Sequence, residues 1–456
     1  MIKARHTVIY VVILAAIGGY FYYFEMLKPH QKQQAEQIAR TVFQFSIDQV
    51  NALEVLPRGK PSIRLAKETR WRISEPINAD VDETSLNGML NALQSLQRDR
   101  QVVGNSDDLK IFGLQEPALT LRIKSGDAWH ELFIGDLNPV GDTHYAKTGD
   151  RPAVFLMARG NWSIFDKGAK DLRRRQLFTF EPQTVKAMEI NWQGGEHFTV
   201  TKDGTGVWKS ADQADKVIKK SKVDHVLDQI QWLRARDFLA ESTADLKSWE
   251  LDPPYVTVKL QLDEGRDATL ELAQEDQGKK QVAAVASQLG GVVRVEGEIL
   301  KQLPKDLRSL EDRSLLAFRT DQVKQVIWTL GERRGHLVHA DGSKWVWKLS
   351  DGKERELAQA WQIRSLLWEL DDAEYEQRDS ALSAPPAEAR GYVEFWGSQD
   401  KLGAIGWEVP KSAESATVRM WLMPGNGPNP SVVQAKAEII RKMEQKLEEL
   451  DKSQSQ

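Results

Sequence analysis

The chain has 456 residues, 28% of them charged, with a net charge of −4 and a pI near 6.2. Positive and negative residues alternate along it without a strongly basic region, so we expect no nucleic-acid partner. Apart from an apolar N-terminal segment, about 430 residues remain, enough for roughly three domains with sizeable cores. The absence of cysteine suits an oxidising compartment, although a cytosolic protein without disulfides would look the same.

The longest apolar run covers residues 7–24, TVIYVVILAAIGGYFYYF, and contains no charge. As a helix it would extend about 27 Å, close to the roughly 30 Å hydrocarbon core of a bilayer. Small residues in its middle and aromatic residues at its end favour an uncleaved signal anchor over a cleaved signal peptide. We therefore predict a cytoplasmic tail (1–6), a transmembrane helix (7–24) and a polar stalk (25–42). The flanking positive charges are nearly balanced, so charge alone leaves the orientation open.

From residue 43 the sequence repeats. Trp71, Trp208 and Trp347, each followed by Arg or Lys, are separated by 137 and 139 residues. After each tryptophan, apolar residues recur at offsets 0, 3, 4, 7 and 10, which is the period of one helix face. The three stripes are Leu86, Met89, Leu90, Leu93 and Leu96, then Val223, Val226, Leu227, Ile230 and Leu233, and finally Ile363, Leu366, Leu367, Leu370 and Ala373.

Alternating apolar and polar residues after each helix predict a strand, at 118–123, 255–262 and 392–396. Short turns join further strands, which makes them antiparallel. The pairs predicted in this way are 63–67 with 70–73 and 132–134 with 153–157, and a closing helix is expected over 161–175. Because each helix must cover a sheet face, we predict an α+β fold: an N-terminal transmembrane helix, then three tandem α+β repeat domains of antiparallel sheet with a packed amphipathic helix.

The period places the domain boundaries at 43–177, 178–315 and 316–430, the third unit being the most divergent. Residues 431–456 are predicted as a C-terminal amphipathic helix and tail, with Pro430-Ser431 before a helix over 432–450. Its apolar stripe consists of Val433, Ile440, Met443, Leu447 and Leu450. Such a stripe fits either packing on the third unit or binding of a partner helix.

These features resemble a bacterial family called domain of unknown function 4340. The resemblance rests on the apolar run, the stalk, TRWRISEP at 69–76, the helix, and GLQEP at 113–117 before an alternating strand. It is best over 43–177, weaker in the second unit and weakest in the third. It implies a single-pass bacterial inner-membrane protein with most of the chain in the periplasm, often encoded beside a gliding-motility-type ABC transporter and its auxiliary subunit. The resemblance supplies no catalytic residue.

No glycine-rich phosphate loop, nucleophile elbow or zinc-protease motif occurs, so we expect no catalytic, metal or cofactor site. His336 and His339 would face opposite sides of a strand and could not chelate one metal. Ser398 and Lys401 lie in a predicted turn without the companion motifs of a catalytic serine.

Two kinds of charged cluster have simple structural interpretations. Asp107-Asp108 and Asp371-Asp372 are adjacent carboxylates in loop-like sequence, which favours solvated surface over a general acid and base. The basic runs at 173–175 and 219–222 suit helix ends, where cations interact with the last carbonyls or with solvent, and contact with lipid headgroups or a partner is the alternative.

The tryptophans fall into two groups. Trp71, Trp208 and Trp347 repeat at a fixed place before each helix, as expected of a core ring beneath that helix. The tryptophans found only in the third unit are possible partner or glycan contacts, although they could equally form its core. They are Trp361, Trp368, Trp396, Trp407 and Trp421.

Two functions remain open. The first is a non-enzymatic, membrane-anchored periplasmic scaffold or accessory subunit, whose partners are the bilayer through residues 7–24 and the integral subunits of an ABC-type transport complex. The alternative is an extracytoplasmic module that binds glycan or cell wall. An exposed row of rings beside carboxylates would favour the alternative.

Overall fold

The computed structural model describes residues 40–104, 108–213, 216–275, 280–340, 342, 344–349, 351–379, 391–408, 416–425 and 430–454. The predicted tail, transmembrane helix and stalk up to residue 39 lie outside the described residues, as does Asp107. Within the described part, no helix is both long and apolar enough to cross a bilayer. The fold is α+β, with three antiparallel sheets and several helices.

The first sheet has nine described strands in the order β4-β3-β2-β1-β6-β7-β8-β9-β5. They are β1 (Val50–Pro57), β2 (Ile63–Lys67), β3 (Trp71–Glu75), β4 (Ala79–Asp80), β5 (Arg100–Val103), β6 (Leu119–Ser125), β7 (Ala128–Leu137), β8 (Thr143–Thr148) and β9 (Val154–Ala158). Its helices are α1 (Glu83–Gln94), α2 (Arg159–Phe165) and α3 (Ala169–Leu172). Asp82 caps α1 by accepting a hydrogen bond from the backbone N–H of Ser85 at 2.9 Å.

The second sheet has eight described strands in the order β12-β11-β10-β14-β15-β16-β17-β13. They are β10 (Val185–Trp192), β11 (His197–Lys202), β12 (Trp208–Ser210), β13 (Asp237–Ala240), β14 (Val256–Leu262), β15 (Asp267–Leu272), β16 (Gln281–Ala286) and β17 (Leu289–Glu296). The helices in this part of the chain are α4 (Lys220–Gln231) and α5 (Ile299–Gln302).

The third sheet again has nine described strands, in the order β21-β20-β19-β18-β23-β24-β25-β26-β22. They are β18 (Gln325–Leu330), β19 (Arg333–His339), β20 (Trp345–Lys348), β21 (Glu354–Glu356), β22 (Tyr375–Arg378), β23 (Gly391–Trp396), β24 (Lys401–Trp407), β25 (Thr417–Pro424) and β26 (Ser431–Lys436). Its helices are α6 (Trp361–Asp372) and α7 (Ala437–Gln454).

The three strand orders follow one plan. In each sheet, the long helix leaves the strand at one edge and leads to the strand at the opposite edge: α1 joins β4 to β5, α4 joins β12 to β13, and α6 joins β21 to β22. Such a helix runs across one sheet face, so its apolar stripe is buried. All fifteen residues of the three predicted stripes are less than 10% exposed.

Contacts between Cα atoms divide the chain into two compact units. One comprises the described residues up to Thr199 together with those of Asp224–Lys305, and the other comprises those of Val200–Val223 together with the described residues from Asp306 onward. The first sheet therefore lies in the first unit and the third sheet in the second.

Several sequence-based predictions were wrong in detail. Strand β7 does not pair with β9, because β8 lies between them. The predicted helix over 161–175 is two short helices, α2 and α3, with Gly168 as the N-cap of α3 and an extended Arg173 after it. Residues 431–436 form strand β26, paired with β25 and β22, so the C-terminal helix begins at Ala437. Asp371 and Asp372 are the last residues of α6 and do not lie in a loop.

Candidate functional site

The repeated tryptophans lie in the cores. Trp71 is 9% exposed, Trp208 1% and Trp347 0%. Each lies on a strand that precedes the long helix. In the third sheet the Trp347 ring packs edge-on against Trp328, with ring centroids 5.3 Å apart. These side chains are therefore inaccessible to a ligand, and their position repeats because the helix above them repeats.

The tryptophans found only in the third repeat, residues 316–430, have different environments. Trp407 and Trp421 are buried, so of the two alternatives left open for them, core and contact surface, they belong to the packed interior. The indole of Trp407 donates a 2.8 Å hydrogen bond to Glu444, on α7. Trp396 is partly buried, and its indole donates to Glu394 at 3.0 Å. Trp361 and Trp368, in contrast, are 56% and 72% exposed.

Both exposed rings lie on α6, which has a buried face, a face toward α7 and an outer face. Ser365 accepts a 2.6 Å hydrogen bond from Lys446 of α7, and Glu369 lies 3.3 Å from the same lysine. The outer face that remains consists of Trp361, Arg364, Trp368, Asp371 and Asp372, all exposed. We call these five residues the outer face of α6.

The equivalent helices of the first two repeats have no tryptophan at the positions of Trp361 and Trp368. When the helices are aligned on their buried stripes, Trp361 corresponds to Thr84 in α1 and Ser221 in α4. Trp368 corresponds to Asn91 and Asp228. A large exposed ring is unnecessary for the fold at these positions, because two repeats fold with small polar residues there. The two tryptophans therefore mark a candidate interaction surface.

The segments that connect successive sheets share the pattern L-x-x-R-x-L. Linker 1 is residues 172–177 (LRRRQL) and linker 2 is residues 310–315 (LEDRSL). In both, the first and last leucines are buried. Its recurrence 138 residues apart is the signal in the sequence that marks these two segments as equivalent.

Linker 1 is hydrogen-bonded on both sides. Toward the first sheet, the N–H of Arg174 donates to the carbonyl of Asp80 at 2.8 Å. Toward α4 and β13, the N–H of Leu177 donates to Leu233 at 2.9 Å and the N–H of Ala235 donates to Arg175 at 2.7 Å. The linker therefore acts as a short extra strand between the start of one helix and the end of the next.

The arginines of linker 1 were predicted to lie at a helix end. Two of them instead form ion pairs that join linker 1 to neighbouring elements. The guanidinium of Arg173, with its side chain 5% exposed, forms a 2.8 Å ion pair with Glu241. It also lies 3.9 Å above the ring of Phe238. Arg174 pairs with Asp80 at 3.2 Å, and its burial lowers its pKa, an effect that Asp80 opposes.

Linker 2 repeats this arrangement within the compact unit that contains the third sheet. The N–H of Asp312 donates to Val217 at 2.7 Å, and the N–H of Tyr375 donates to Arg313 at 2.9 Å. The guanidinium of Arg313 donates to the Tyr375 carbonyl and to Glu374, each at 2.8 Å. Lys222 reaches the same carboxylate at 2.6 Å. The basic run at 219–222 thus lies at the beginning of α4. The helix end at which cations interact favourably with the carbonyls is the C-terminal one, so the predicted reason for this run was wrong. Lys222 instead forms part of the junction at linker 2.

A cleft of about 650 Å³ lies beside linker 2. Its lining includes four cations and four carboxylates, many of which already pair with each other or with neighbours. Lys216 pairs with Glu311 at 2.8 Å and Arg308 with Glu376 at 2.9 Å. The size suits a small ligand, but this balanced charge selects neither an anion nor a cation.

A half-buried polar cluster lies on the third sheet around the predicted turn at Ser398 and Lys401. The ammonium of Lys401 donates to Glu394 at 2.7 Å and to the hydroxyl of Tyr392 at 3.1 Å. Burial alone would raise the pKa of Glu394, but the hydrogen bonds from Lys401 and Trp396 outweigh it and lower the pKa. Burial also raises the pKa of Tyr392. Each group is thus held in its ordinary charge state, which indicates a structural role.

The two histidines predicted to face opposite sides of a strand have different partners. His336 contacts Gln325 at 3.2 Å, whereas the His339 ring packs against Trp345 at 5.1 Å. In the described residues there is no group of three or more His, Asp or Glu side chains that could hold a metal ion.

Comparison with known proteins adds one result. Residues 71–252 match the family model described as Domain of unknown function (DUF4340). The resemblance to this family is thus confirmed for this part of the chain. The match runs from the first core tryptophan, Trp71, to the residue before Pro253, so it includes α1, linker 1 and α4 and ends before the third sheet. No curated protein matches the chain.

Proposed function

We propose that this protein is a non-enzymatic scaffold or accessory subunit, anchored in the bacterial inner membrane with the bulk of the chain in the periplasm. Residues 7–24 would form a single transmembrane helix that acts as an uncleaved signal anchor, and residues 25–42 a stalk. The length of the apolar run and its terminal aromatic residues support this anchor. The periplasmic orientation rests on what the family resemblance implies.

The observation that carries the scaffold assignment is that both linkers are hydrogen-bonded on both sides. A flexible linker would form few such contacts of its own. Here, buried leucines and backbone hydrogen bonds tie each linker to the repeat before it and to the repeat after it. Such construction suits a protein that holds a partner in a fixed place.

We further propose that the partner is the integral part of an ABC-type transport complex, in keeping with the family resemblance. An anchor confines the chain to the membrane and raises its effective concentration near other membrane proteins, so weak contacts suffice for assembly. The test is purification of the tagged, detergent-solubilised full-length chain from its native host. An ABC-type permease or its auxiliary subunit should co-purify, and deletion of residues 7–24 should abolish the association.

Two controls sharpen this experiment. The deletion variant must show the same melting temperature as the full chain, so that lost association is not lost folding. Alkaline phosphatase fused after residue 456 should be active, because the enzyme requires the oxidising periplasm. An inactive fusion, or a full-length chain that purifies alone, would contradict the proposal.

A glycan-binding or cell-wall-binding module is the second candidate, favoured by one observation. Trp361 and Trp368 are exposed on one helix face together with the carboxylates of Asp371 and Asp372. Sugar rings stack on exposed tryptophans and hydrogen-bond to carboxylates. Retention of the chain on insoluble peptidoglycan, and its loss in the double variant Trp361→Ala/Trp368→Ala, would favour this function. Retention of both proteins alike, or of neither, would argue against it.

A further inference from the structure

We propose that the outer face of α6 binds the same face of a second copy of this chain, with the two helices antiparallel and Trp368 at the centre. The inference rests on the order of side chains along this face and does not depend on the function proposed above.

The outer face of α6 is self-complementary in charge. Arg364 lies four residues before Trp368, and Asp372 lies four residues after it. Residues four apart share a helix face, so the three side chains form one row about 12 Å long. When a second α6 is placed antiparallel about Trp368, each Arg364 faces Asp372 of the other copy. A two-fold symmetric contact requires this reciprocity, in which residue i meets residue j and j meets i.

The two charges are available for such a contact. Within the described part of the chain, neither Arg364 nor Asp372 has an ion pair or side-chain hydrogen bond, and both are exposed. The helix does pair its charges where α7 is near, since Glu369 contacts Lys446 at 3.3 Å. An exposed cation, ring and carboxylate without a partner among the described residues therefore occur together on the outer face of α6.

The other two helices provide an internal comparison. The positions of Arg364, Trp368 and Asp372 correspond to Asn87, Asn91 and Ser95 in and after α1, and to Asp224, Asp228 and Trp232 in and after α4. Neither set has opposite charges on the two sides of a central ring, so neither would pair with itself in this way. The self-complementary row is thus a property of the third repeat alone.

The contact should be weak in dilute solution. A helix of twelve residues is about 18 Å long, so two such helices cover much less than the roughly 800 Å² per partner of a stable interface. A high local concentration of the protein would favour the pair. The energy would come mainly from the central indoles, with the charge pairs fixing the orientation.

Disulfide trapping tests the proposal directly, because the chain has no cysteine of its own. Trp368→Cys places a single thiol on the proposed two-fold axis. Purified full-length protein in detergent micelles would be oxidised with copper phenanthroline and examined on a non-reducing gel. We expect a covalent dimer from Trp368→Cys and none from Asn91→Cys or Asp228→Cys, which carry the thiol at the same helix position in the other repeats.

Charge reversal identifies the partner. In the Trp368→Cys background, Arg364→Asp or Asp372→Arg should each lower the dimer yield by about fivefold or more, since each creates two like-charged pairs. The combined variant should restore the yield, because the reversed charges again face each other. Sedimentation equilibrium of the cysteine-free protein with the same charge changes provides a second readout.

Three outcomes would overturn the proposal. They are the absence of a Trp368→Cys dimer, equal trapping at residues 91 and 228, and failure of the combined variant to recover. The last result would indicate that any partner of this face is a different protein. Because all the substituted side chains are exposed, the melting temperatures should remain those of the parent, which excludes unfolding as the cause.

Discussion

Gly335 lies directly opposite Trp328 across the ladder of β18 and β19, and the indole covers the glycine so closely that a Cβ there would overlap the ring. The same relationship recurs between Gly391 and Trp407 across β23 and β24. In both pairs the absence of a side chain on one strand makes room for a tryptophan on its neighbour. The core of the third sheet is thus built on matched glycine and tryptophan positions.

Substitution of either glycine should therefore destabilise the third sheet. Gly335→Ala and Gly391→Ala should each lower the free energy of unfolding by about 1–3 kcal/mol, because the added methyl displaces a buried indole. Denaturant unfolding followed by tryptophan fluorescence measures this. Gly406→Ala is the matched control, since a Cβ there meets only ordinary contacts of 3.5 Å or more. Equal effects at residues 391 and 406 would contradict the argument.

The core tryptophans should behave oppositely to those on α6. Trp208→Ala removes a side chain that is 1% exposed and should cost about 3–5 kcal/mol of unfolding free energy. Trp368→Ala removes one that is 72% exposed and should change stability by less than about 0.5 kcal/mol. The measurement is the melting temperature of each variant compared with that of the parent protein. A large loss from Trp368→Ala would mean that this ring packs within its own chain.

The repeats were predictable because their signal is strong and occurs three times. Leu86, Val223 and Ile363 begin stripes with the helical period, and a core tryptophan precedes each at a nearly constant distance. Amphipathic period and recurrence together determine which helix face is buried. The α+β class with three antiparallel sheets follows from them.

The missed elements lack such a signal. Strand β8 buries His144, Ala146 and Thr148, which are small or polar, so its alternation is not visible as hydrophobicity. Residues 431–436 combine strand-forming valines with a continuing helical period, and only their pairing with β25 and β22 decides between the two.

Burial of a single tryptophan cannot be predicted from its own residue type, because a large ring suits either a core or a contact surface. Trp407 is buried and Trp368 exposed although both occur only in the third unit. The candidate surface on α6 is therefore defined by the exposure of Trp361 and Trp368 and not by residue type.

Linker 2 depends on Arg313, whose guanidinium donates to the Tyr375 carbonyl and to Glu374 at 2.8 Å. Arg313→Ala should lower the unfolding free energy by about 1–3 kcal/mol, because it removes charge-assisted hydrogen bonds from a mostly buried junction. Arg313→Lys should recover part of the loss, since lysine keeps the charge but not the planar fork. Arg319→Ala, at an exposed site paired with Asp321, should leave the denaturation midpoint nearly unchanged. Equal midpoints for the two alanine variants would remove the special role of the linker arginine.

The cluster on the third sheet predicts a specific acid response. In the folded state the hydrogen bonds from Lys401 and Trp396 overcome the opposing effect of burial and hold the pKa of Glu394 below its ordinary value of 4.5. The unfolded state therefore takes up this proton first as the pH falls. The stability contributed by Glu394 is fully present above pH 4.5 and is lost as the pH falls toward the lower folded pKa.

Glu394→Gln should abolish this part of the acid dependence, which urea unfolding midpoints measured between neutral pH and pH 3 would show. Lys401→Met should have a similar effect, because it removes the donor that stabilises the carboxylate. Trp396→Phe should have a smaller one, since it removes a single indole donor and leaves the ion pair. If the slope of stability against pH is the same in the parent and in Glu394→Gln, the carboxylate is not stabilised by its neighbours and the structural role assigned to this cluster is wrong.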